Sequence, residues 1–521
     1  MYIPTPRTLG DMLRQRAGQS PDSVAIRYED SSITYAGLDA AVDKAARLLM
    51  EFGIHRGDRV ALMLPNCPEM LVFDFACFRL GATAVPVNSR YQRAEAAYAL
   101  SHSGASLLIA DSAFLPIVDG LERECDALRH LLLRGGNGER ERDVDRLLAG
   151  VEASPVEDAA SVEDAAVIFY TSGSTAKPKG VVHTHAGLLG QAGCQGVTRE
   201  MAPGRRWLIA TGIGYVAGLA GVSVPGLYSG VTLVVEEDLS ADALLRAIER
   251  ERAHAAVILP TKLLDMLESP LADSLDLSSF EQVYVGGDEC SHALYQRFRA
   301  RFGYDLAQLL GMTECEGYLT NRPGSDNRIG SVGEPAREVR VRLISSDGTE
   351  VCDGRAGELQ VHAPGLMQGY WQDPDTTQRT LVDGWLLTGD VARRDSDGYY
   401  WFIERKREIV IHDGSNIAPH EVEDVIDSHP DVAESCVVGV SDPRHGAVLE
   451  AFVEPEAGAS GLAGEMLTAW LKHRIAAYKI PTLWRIVGEL PRTATGKMDR
   501  KALHARAASE HSAGPGPAAP G

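Results

Sequence analysis

Residues 170–180 read YTSGSTAKPKG, flanked by DAAVIF at 164–169 and VVHTHAGLLGQAG at 181–193. The upstream run has the apolar character of a buried strand. The downstream run opens as a strand and continues as a helix. Between them lie two glycines, four aliphatic hydroxyls and two lysines in eleven positions. A loop between regular elements can wrap its backbone N–H groups around a phosphate chain. Thr171, Ser172, Ser174 and Thr175 add hydroxyl donors, and Lys177 and Lys179 add charge. The segment points to a nucleoside triphosphate, although a plain polar turn uses the same residue types. It is not a Walker A loop, because Pro178 stands where that motif has its second glycine.

Outward from this loop, strand-like runs alternate with helix-like stretches. RVALML at 59–64 is followed by PEMLVFDFACFRLG at 68–81 and ATAVPVN at 82–88; AEAAYALSHSG at 94–104 is followed by ASLLIAD at 105–111. This is the habit of parallel sheets flanked by helices. Residues 134–164 are polar and read as a connection with a short helix. From about residue 331 short β-rich pieces appear, REVRVRLIS, GELQVHAP and YYWFIE, which mark a smaller β-rich subdomain at 331–405. A separate α/β unit follows at 406–505, with HEVEDVIDSHP as a helix and SCVVGVSD and LEAFVEP as strands. Residues 506–521, ending in Gly, Pro and Ala, read as a disordered tail. The fold class is α/β: a large N-terminal domain at 1–405 with parallel-rich sheets, and a small α/β C-terminal domain.

Bulk properties narrow the function. A chain of 521 residues is too long for one core. The net charge of −21 argues against a nucleic-acid or anionic-membrane partner, yet leaves room for ATP in a locally positive loop. Eight cysteines without a C-x-x-C pair suit reduced thiols and a cytoplasmic location better than disulfides or zinc. The N-terminal MYIPTPRTLGDML lacks the basic and apolar regions of a secretory signal. Residues 207–235 carry no charge and are long enough to span a bilayer, but six glycines and Pro225 favour strand, loop, helix and strand in a soluble core. The same stretch holds GIGYVA at 212–217, a dinucleotide-like spacing that is weak alone. There the glycines are read as bending the chain beside a small-molecule pocket, near Tyr215 and Tyr284.

The order of residues in the loop resembles the phosphate loop of the adenylate-forming superfamily: acyl-CoA synthetases, peptide-synthetase adenylation domains and luciferases. Further matches follow in that family's order. They are GMTE at 311–314, TGD at 388–390, DGYYWFIERKREIVIHDGSNIAPHEVE at 397–423, and PRTATGK at 491–497. The resemblance spans about residues 8–505. It implies that Thr171, Ser172, Gly173, Ser174, Thr175 and Lys179 hold the β- and γ-phosphates. Thr313 would bind phosphate and Glu314 would ligate Mg²⁺. Gly311, Met312, Gly287 and Asp288 would line the nucleotide site, and Asp390 and Arg405 would meet the ribose. Lys497 would bridge substrate oxygen and α-phosphate. It further implies ATP and Mg²⁺, CoA as co-substrate, and a mobile small domain hinged at Arg407. Glu314 could instead be a helix-start acid, Asp390 a turn residue, and Lys497 and Arg405 solvated cations. His183, His185 and Glu316 lack metal-ligand spacing and read as structural or pocket residues.

Departures from the family pattern bear on the substrate. Leu310 stands where an aromatic usually precedes Gly-x-Thr-Glu. Gly286-Gly287-Asp288 replaces Gly-Gly-Ala, and a buried Asp288 would need a partner. Tyr215 takes a histidine position, and Glu404 a glycine position. His412-Asp413-Gly414 replaces Ser-Gly-Gly, whose first glycine lines the pantetheine tunnel in relatives. Tyr215, Gly286 and Leu310 are thus the candidate pocket residues. The first reading is a ligase for a small, aromatic carboxylic acid, forming acyl-AMP and then a thioester on CoA or a carrier protein. The second is an enzyme that adenylates nitrite and diazotises an aryl amine. The third, a non-catalytic homologue, is separated by a Lys497→Ala variant. Oligomeric state is not legible in the sequence.

Overall fold

In the computed structural model the strands Ala165–Thr171 and Lys179–Thr184 are neighbours in one sheet. Thr184 caps the helix His185–Thr198, its hydroxyl accepting from the Gly187 N–H at 3.1 Å. The structure describes residues 6–136, 142–171, 177–288, 290, 292–322, 327–345, 347–351, 353–405, 409–456, 459, 461–491 and 498–512, without the side chains of 293, 404, 405, 416 and 501. Ser172, Gly173, Ser174, Thr175, Arg407 and Lys497 therefore lie outside the described residues, as does the Arg405 side chain.

The chain divides into two compact units. The first comprises Met1–Ser89, Ala96–Tyr170 and Lys179–Lys406; the second comprises Arg90–Glu95, Thr171–Pro178 and Arg407–Gly521. Among the described residues the first unit holds three sheets. One runs in the order Gly369–Tyr370, Lys179–Thr184, Ala165–Thr171, Thr83–Pro86, Arg59–Met63, Leu107–Asp111, His130–Arg134, and its Arg59–Arg134 part is parallel. A second has a parallel centre of Gln282–Val285, Ala255–Ile258, Arg206–Ile209, Thr232–Val235 and Val24–Tyr28. The third is antiparallel and built from Arg340–Ile344, Ala356–His362, Trp385–Arg394, Leu381–Val382 and Tyr400–Arg405. The α/β class with a β-rich subdomain is thus observed.

One helix explains how the two large sheets share a core. Pro68–Leu80 is apolar on all sides and almost entirely buried, within the cluster that takes side chains from both sheets. It carries two buried charged residues. Arg79 pairs with Asp43 at 2.7 Å and with Asp39. Asp74 is fully buried, has no hydrogen-bond partner, and is held well above the usual carboxylate range by burial.

The uncharged stretch folds as read from composition. Strand Arg206–Ile209 leads into Val216–Gly218, the π-helical turn Leu219–Ser223, helix Val224–Ser229 and strand Thr232–Val235. Among the described residues no helix is long and apolar enough to cross a membrane.

The second unit has its own sheet, ordered Ser415–Ile417, Val410–His412, Gly446–Pro455, Val432–Asp442, with Leu483–Ile486 also on Gly446–Pro455. Helix Pro419–Asp427 packs on it. The tail reading needs correction at its start: Arg500–Ser512 is helical. Leu503 and Ala507, four residues apart, bury one face against Cys436, Val438 and Phe452. Residues 513–521 lie outside the described residues.

Candidate active site

The segment GMTE forms the end of a β-hairpin. Strands Ala307–Met312 and Cys315–Thr320 pair antiparallel, and Met312 faces Cys315, so Thr313 and Glu314 are the turn. Gly311 allows this close return: a Cβ there would sit 2.3 Å from the Gly317 nitrogen. The turn is fixed from three sides. His183 Nε2 donates to the Thr313 carbonyl at 2.8 Å. The Met367 N–H donates to the Glu314 carbonyl at 2.8 Å. Tyr370 Oη donates to Glu314 Oε1 at 2.5 Å.

Tyr370 was not singled out in the sequence, and it joins two residues that were. Its two-residue strand pairs with Lys179–Thr184, placing Tyr370 opposite Val181. The Lys179 ammonium lies 5.1 Å from the Tyr370 ring centroid. A cation, an aromatic ring and a buried carboxylate therefore stand in sequence: Lys179, Tyr370, Glu314. The Gly-Tyr-Trp triplet at 369–371 carries no local sign of this contact, because its partner Glu314 lies 56 residues away in the chain.

Asp390 lies on strand Trp385–Arg394, fully buried, with Tyr318 Oη donating to its Oδ2 at 3.3 Å. Its N–H donates to Thr388 Oγ1 at 3.0 Å, and the Thr388 hydroxyl donates to the Leu359 carbonyl at 2.7 Å. The TGD sequence is thus a self-bracing strand segment. Arg405 faces Asp390 in the antiparallel register of the next strand. Tyr318 belongs to the Thr313–Glu314 hairpin, so the hairpin ties the GMTE and TGD segments together within the first unit.

The proposed pocket residues are more dispersed. Tyr215 is partly exposed and donates to Asn88 Oδ1 at 2.8 Å. The Asn66 amide pins the same loop, donating to the Thr211 carbonyl at 2.9 Å and accepting from the Ile213 N–H at 2.7 Å. Gly286 and Gly287 follow strand Gln282–Val285, and Gly286 packs against Leu309. Asp288 is half-buried as a residue, with its Oδ2 shielded from solvent. Leu310 points away from Leu309 and joins the cluster around Val181 and Tyr318. Tyr284, read as a hint of a compact pocket, is instead fully buried and stacks on Trp207, ring centroids 5.9 Å apart.

Behind the hairpin lies a buried ion pair. Arg199 Nη2 is 3.0 Å from Glu316 Oε1, and Gln191 Nε2 donates to Glu316 Oε2 at 3.1 Å. Arg199 also donates to the Gly221 carbonyl inside the π-helical turn. A Cβ at residue 221 would lie 2.9 Å from the Glu316 carboxyl carbon, so glycine lets the turn close on it. This gives Glu316 a structural role, as read from the sequence.

His183 and His185 also serve the framework. Burial pushes both imidazoles down to about 4, against the opposing Thr313 carbonyl and Asp164 charge respectively. Both are neutral in the folded chain at pH 7. From pH 6.5 down to about 4 the unfolded chain binds more protons at these positions, so stability falls as pH falls. In thermal melts the wild-type midpoint is expected to fall relative to that of a His185→Asn variant between pH 6.5 and 5; a difference that stays constant across that interval would contradict neutral burial.

As for cations, the described His, Cys, Asp and Glu residues form one cluster of three with metal-binding proximity, His412, Asp413 and His445, in the second unit. The seven described cysteines are all buried, and no disulfide joins any two of them. Glu314 lies in the first unit, with its Oε1 braced by Tyr370.

A family model described as AMP-binding enzyme matches residues 13–371, and one described as AMP-binding enzyme C-terminal domain matches residues 421–497. A feruloyl-CoA synthase of Amycolatopsis sp is 36% identical over 492 residues, which is 94% of this chain and 97% of that protein. The amide bond synthetase McbA from Marinactinospora thermotolerans superposes with a TM-score of 0.87 at 30% identity, covering 95% of this chain and 99% of that one. An o-succinylbenzoate CoA synthetase from Bacillus subtilis, bound to a product analogue, gives a TM-score of 0.85 at 30% identity, covering 95% and 98%.

Proposed function

The chain belongs to the AMP-binding enzyme family and is an AMP-forming ligase, and from that premise we propose that it activates a small aromatic carboxylic acid as its acyl-AMP and passes the acyl group to the thiol of CoA or of a carrier protein. In the first step a carboxylate oxygen attacks the α-phosphorus of ATP and pyrophosphate leaves. Negative charge must be screened and the reacting atoms held in line.

The observation that carries this reading is the Lys179–Tyr370–Glu314 alignment at the hairpin turn. Lys179 and the hydroxyls of Thr171, Ser172, Ser174 and Thr175, with Gly173, hold the β- and γ-phosphates. Thr313 binds phosphate. Gly287, Asp288, Gly311 and Met312 border the nucleotide, with Asp390 and Arg405 at the ribose. Glu314 is the ligand for Mg²⁺, which when bound screens the phosphate oxygens. Lys497 supplies the cation at the α-phosphate, and Arg407 is the hinge. Tyr215, Gly286 and Leu310 shape the acid pocket. The aromatic acid class rests on the feruloyl and succinylbenzoate ligases above, and a cytoplasmic location rests on the buried thiols.

A second reading concerns the acceptor alone. Asp413 occupies a position that is glycine in thiol-accepting relatives, and one structural neighbour is an amide bond synthetase. An amine acceptor, or nitrite in place of the carboxylate with an aryl amine as acceptor, fits this departure.

One assay separates the readings. Pyrophosphate and AMP release from MgATP is followed with aromatic and aliphatic carboxylates, each with CoA, with amines, or alone, and with nitrite plus aryl amines. The expected result is aromatic-acid-dependent release accelerated by CoA. Release that responds to amines and not CoA would move the acceptor to nitrogen. Nitrite-dependent release would replace the carboxylate. No release with any acid would overturn the proposal.

A further inference from the structure

We propose that His412, Asp413 and His445 form a binding site for a zinc-class divalent transition metal in the second unit, separate from the magnesium ligand Glu314. The three residues come from two adjoining hairpin ends. Val410–His412 and Ser415–Ile417 are joined by Asp413 and Gly414, both in left-handed backbone at φ +48° and +69°. Val432–Asp442 and Gly446–Pro455 are joined by the 443–445 turn. Pairing of His412 with Gly446 brings the two ends level. The Asp413 N–H donates to the His445 carbonyl at 3.2 Å and ties them together.

The side chains then converge. His445 Nδ1 lies 2.9 Å from Asp413 Oδ1, and His412 Nε2 lies 3.7 Å from Asp413 Oδ2. All three candidate ligand atoms lie within 4.8 Å of one another. Ligands about 2.0 Å from a tetrahedral zinc are about 3.3 Å apart, and the three candidate atoms, all within 4.8 Å of one another, need only a small side-chain adjustment to reach that spacing. His412 is also oriented as a ligand: its Nδ1 donates to the Ala447 carbonyl at 2.6 Å, which leaves the Nε2 lone pair facing Asp413. A backbone carbonyl holding the far ring nitrogen is the usual support of a metal-bound imidazole.

His445 is anchored differently. Its backbone N–H donates to Asp442 Oδ1 at 2.8 Å. Burial opposes ionisation of Asp442, but that bond and the one from Arg444 hold its carboxyl below the usual carboxylate range. A metal bound at His445 Nδ1 displaces the proton that this nitrogen shares with Asp413, and the ring then carries its proton on Nε2. Asp413 and His445 are each about two-fifths exposed, which leaves a fourth position to water. Two imidazoles and one carboxylate favour zinc, cobalt, nickel or copper over magnesium. Occupancy would neutralise the Asp413 charge and lock the two hairpin ends together.

The test uses the full chain, free of any histidine tag and stripped with chelator. Cobalt is titrated by its visible absorption and zinc by calorimetry. One equivalent is expected to bind with Kd of about 10 µM or tighter. His412→Ala and His445→Ala are expected to weaken it at least about tenfold, as is Asp413→Asn, with unchanged melting of the metal-free proteins. Excess magnesium should leave the cobalt spectrum unaltered. Wild-type protein that stays empty at millimolar zinc would overturn the site. Equal binding by wild type and all three variants would also overturn it, by placing the metal elsewhere.

Discussion

Replacing Glu314 by glutamine is expected to lower acid-dependent ATP–pyrophosphate exchange by about 10²–10³-fold, with the fold intact. The substitution keeps the shape of the side chain, and its amide oxygen can still accept from Tyr370 Oη, which now sits 2.5 Å from Glu314 Oε1. What is lost is the negative charge at the tip of the hairpin. That charge is rigidly placed: the turn is bonded through the Thr313 carbonyl to His183 and through the Glu314 carbonyl to Met367. A preorganised carboxylate holds a cation without reorganising during reaction, which is why the expected loss exceeds that of an ordinary hydrogen bond. Tyr370→Phe is the control. It removes one brace worth about 1 kcal/mol, so a fall of about fivefold is expected, mainly as a higher KM for MgATP. Equal activity of Glu314→Gln and wild type would overturn the proposed metal-binding role of Glu314.

The Arg199→Met variant is expected to lose about 3–5 kcal/mol of stability. Arg199 is fully buried, and its guanidinium serves both Glu316 and the Gly221 carbonyl. Methionine fills similar space but leaves the Glu316 carboxylate buried with only Gln191 to meet it. The carbonyl inside the π-helical turn loses its donor as well. Replacing both partners, as Arg199→Met with Glu316→Leu, removes the stranded charge and is expected to recover at least half of the loss. Denaturant melts of the single and double variants provide the measurement. A single variant within about 1 kcal/mol of wild type would show that the pair does not hold the hairpin.

What the sequence made legible follows from the range of the interactions. Strand Ala165–Thr171 and the strand-to-helix run from Lys179 to Thr198 are set by local apolar patterning, and both formed where the pattern put them. The uncharged run at 207–235 was resolved by its glycines and Pro225, which interrupt any long helix. The start of the tail was misread because Ala is a weak apolar signal, and Leu503 with Ala507 makes only a narrow stripe. Thr313, Glu314 and Asp390 stand in ordered strings of residues, and the hairpin brings those strings together through Tyr318 and Tyr370. Tyr370 was not legible, because its bond to Glu314 joins positions 56 residues apart. The Arg199–Glu316 pair spans 117 residues, and no local pattern announces such a partnership. The neighbourhood of His445 and Asp413 is likewise a product of strand register, which one chain's sequence does not spell out.

Asp74 carries a consequence for calorimetry. Its carboxyl has no partner and is kept protonated above the ordinary range by burial alone. Once the pH rises past about 4, the unfolded chain sheds that proton while the native chain retains it, so folding draws a proton from the buffer. His183 and His185 act in the opposite sense, giving up protons on folding when the solution is mildly acidic. The heat of unfolding thus contains the ionisation heat of whatever buffer is present, with Asp74 and the two histidines contributing in opposite senses. Two laboratories melting the same protein at one pH, in phosphate and in Tris, would record different enthalpies for one and the same native state.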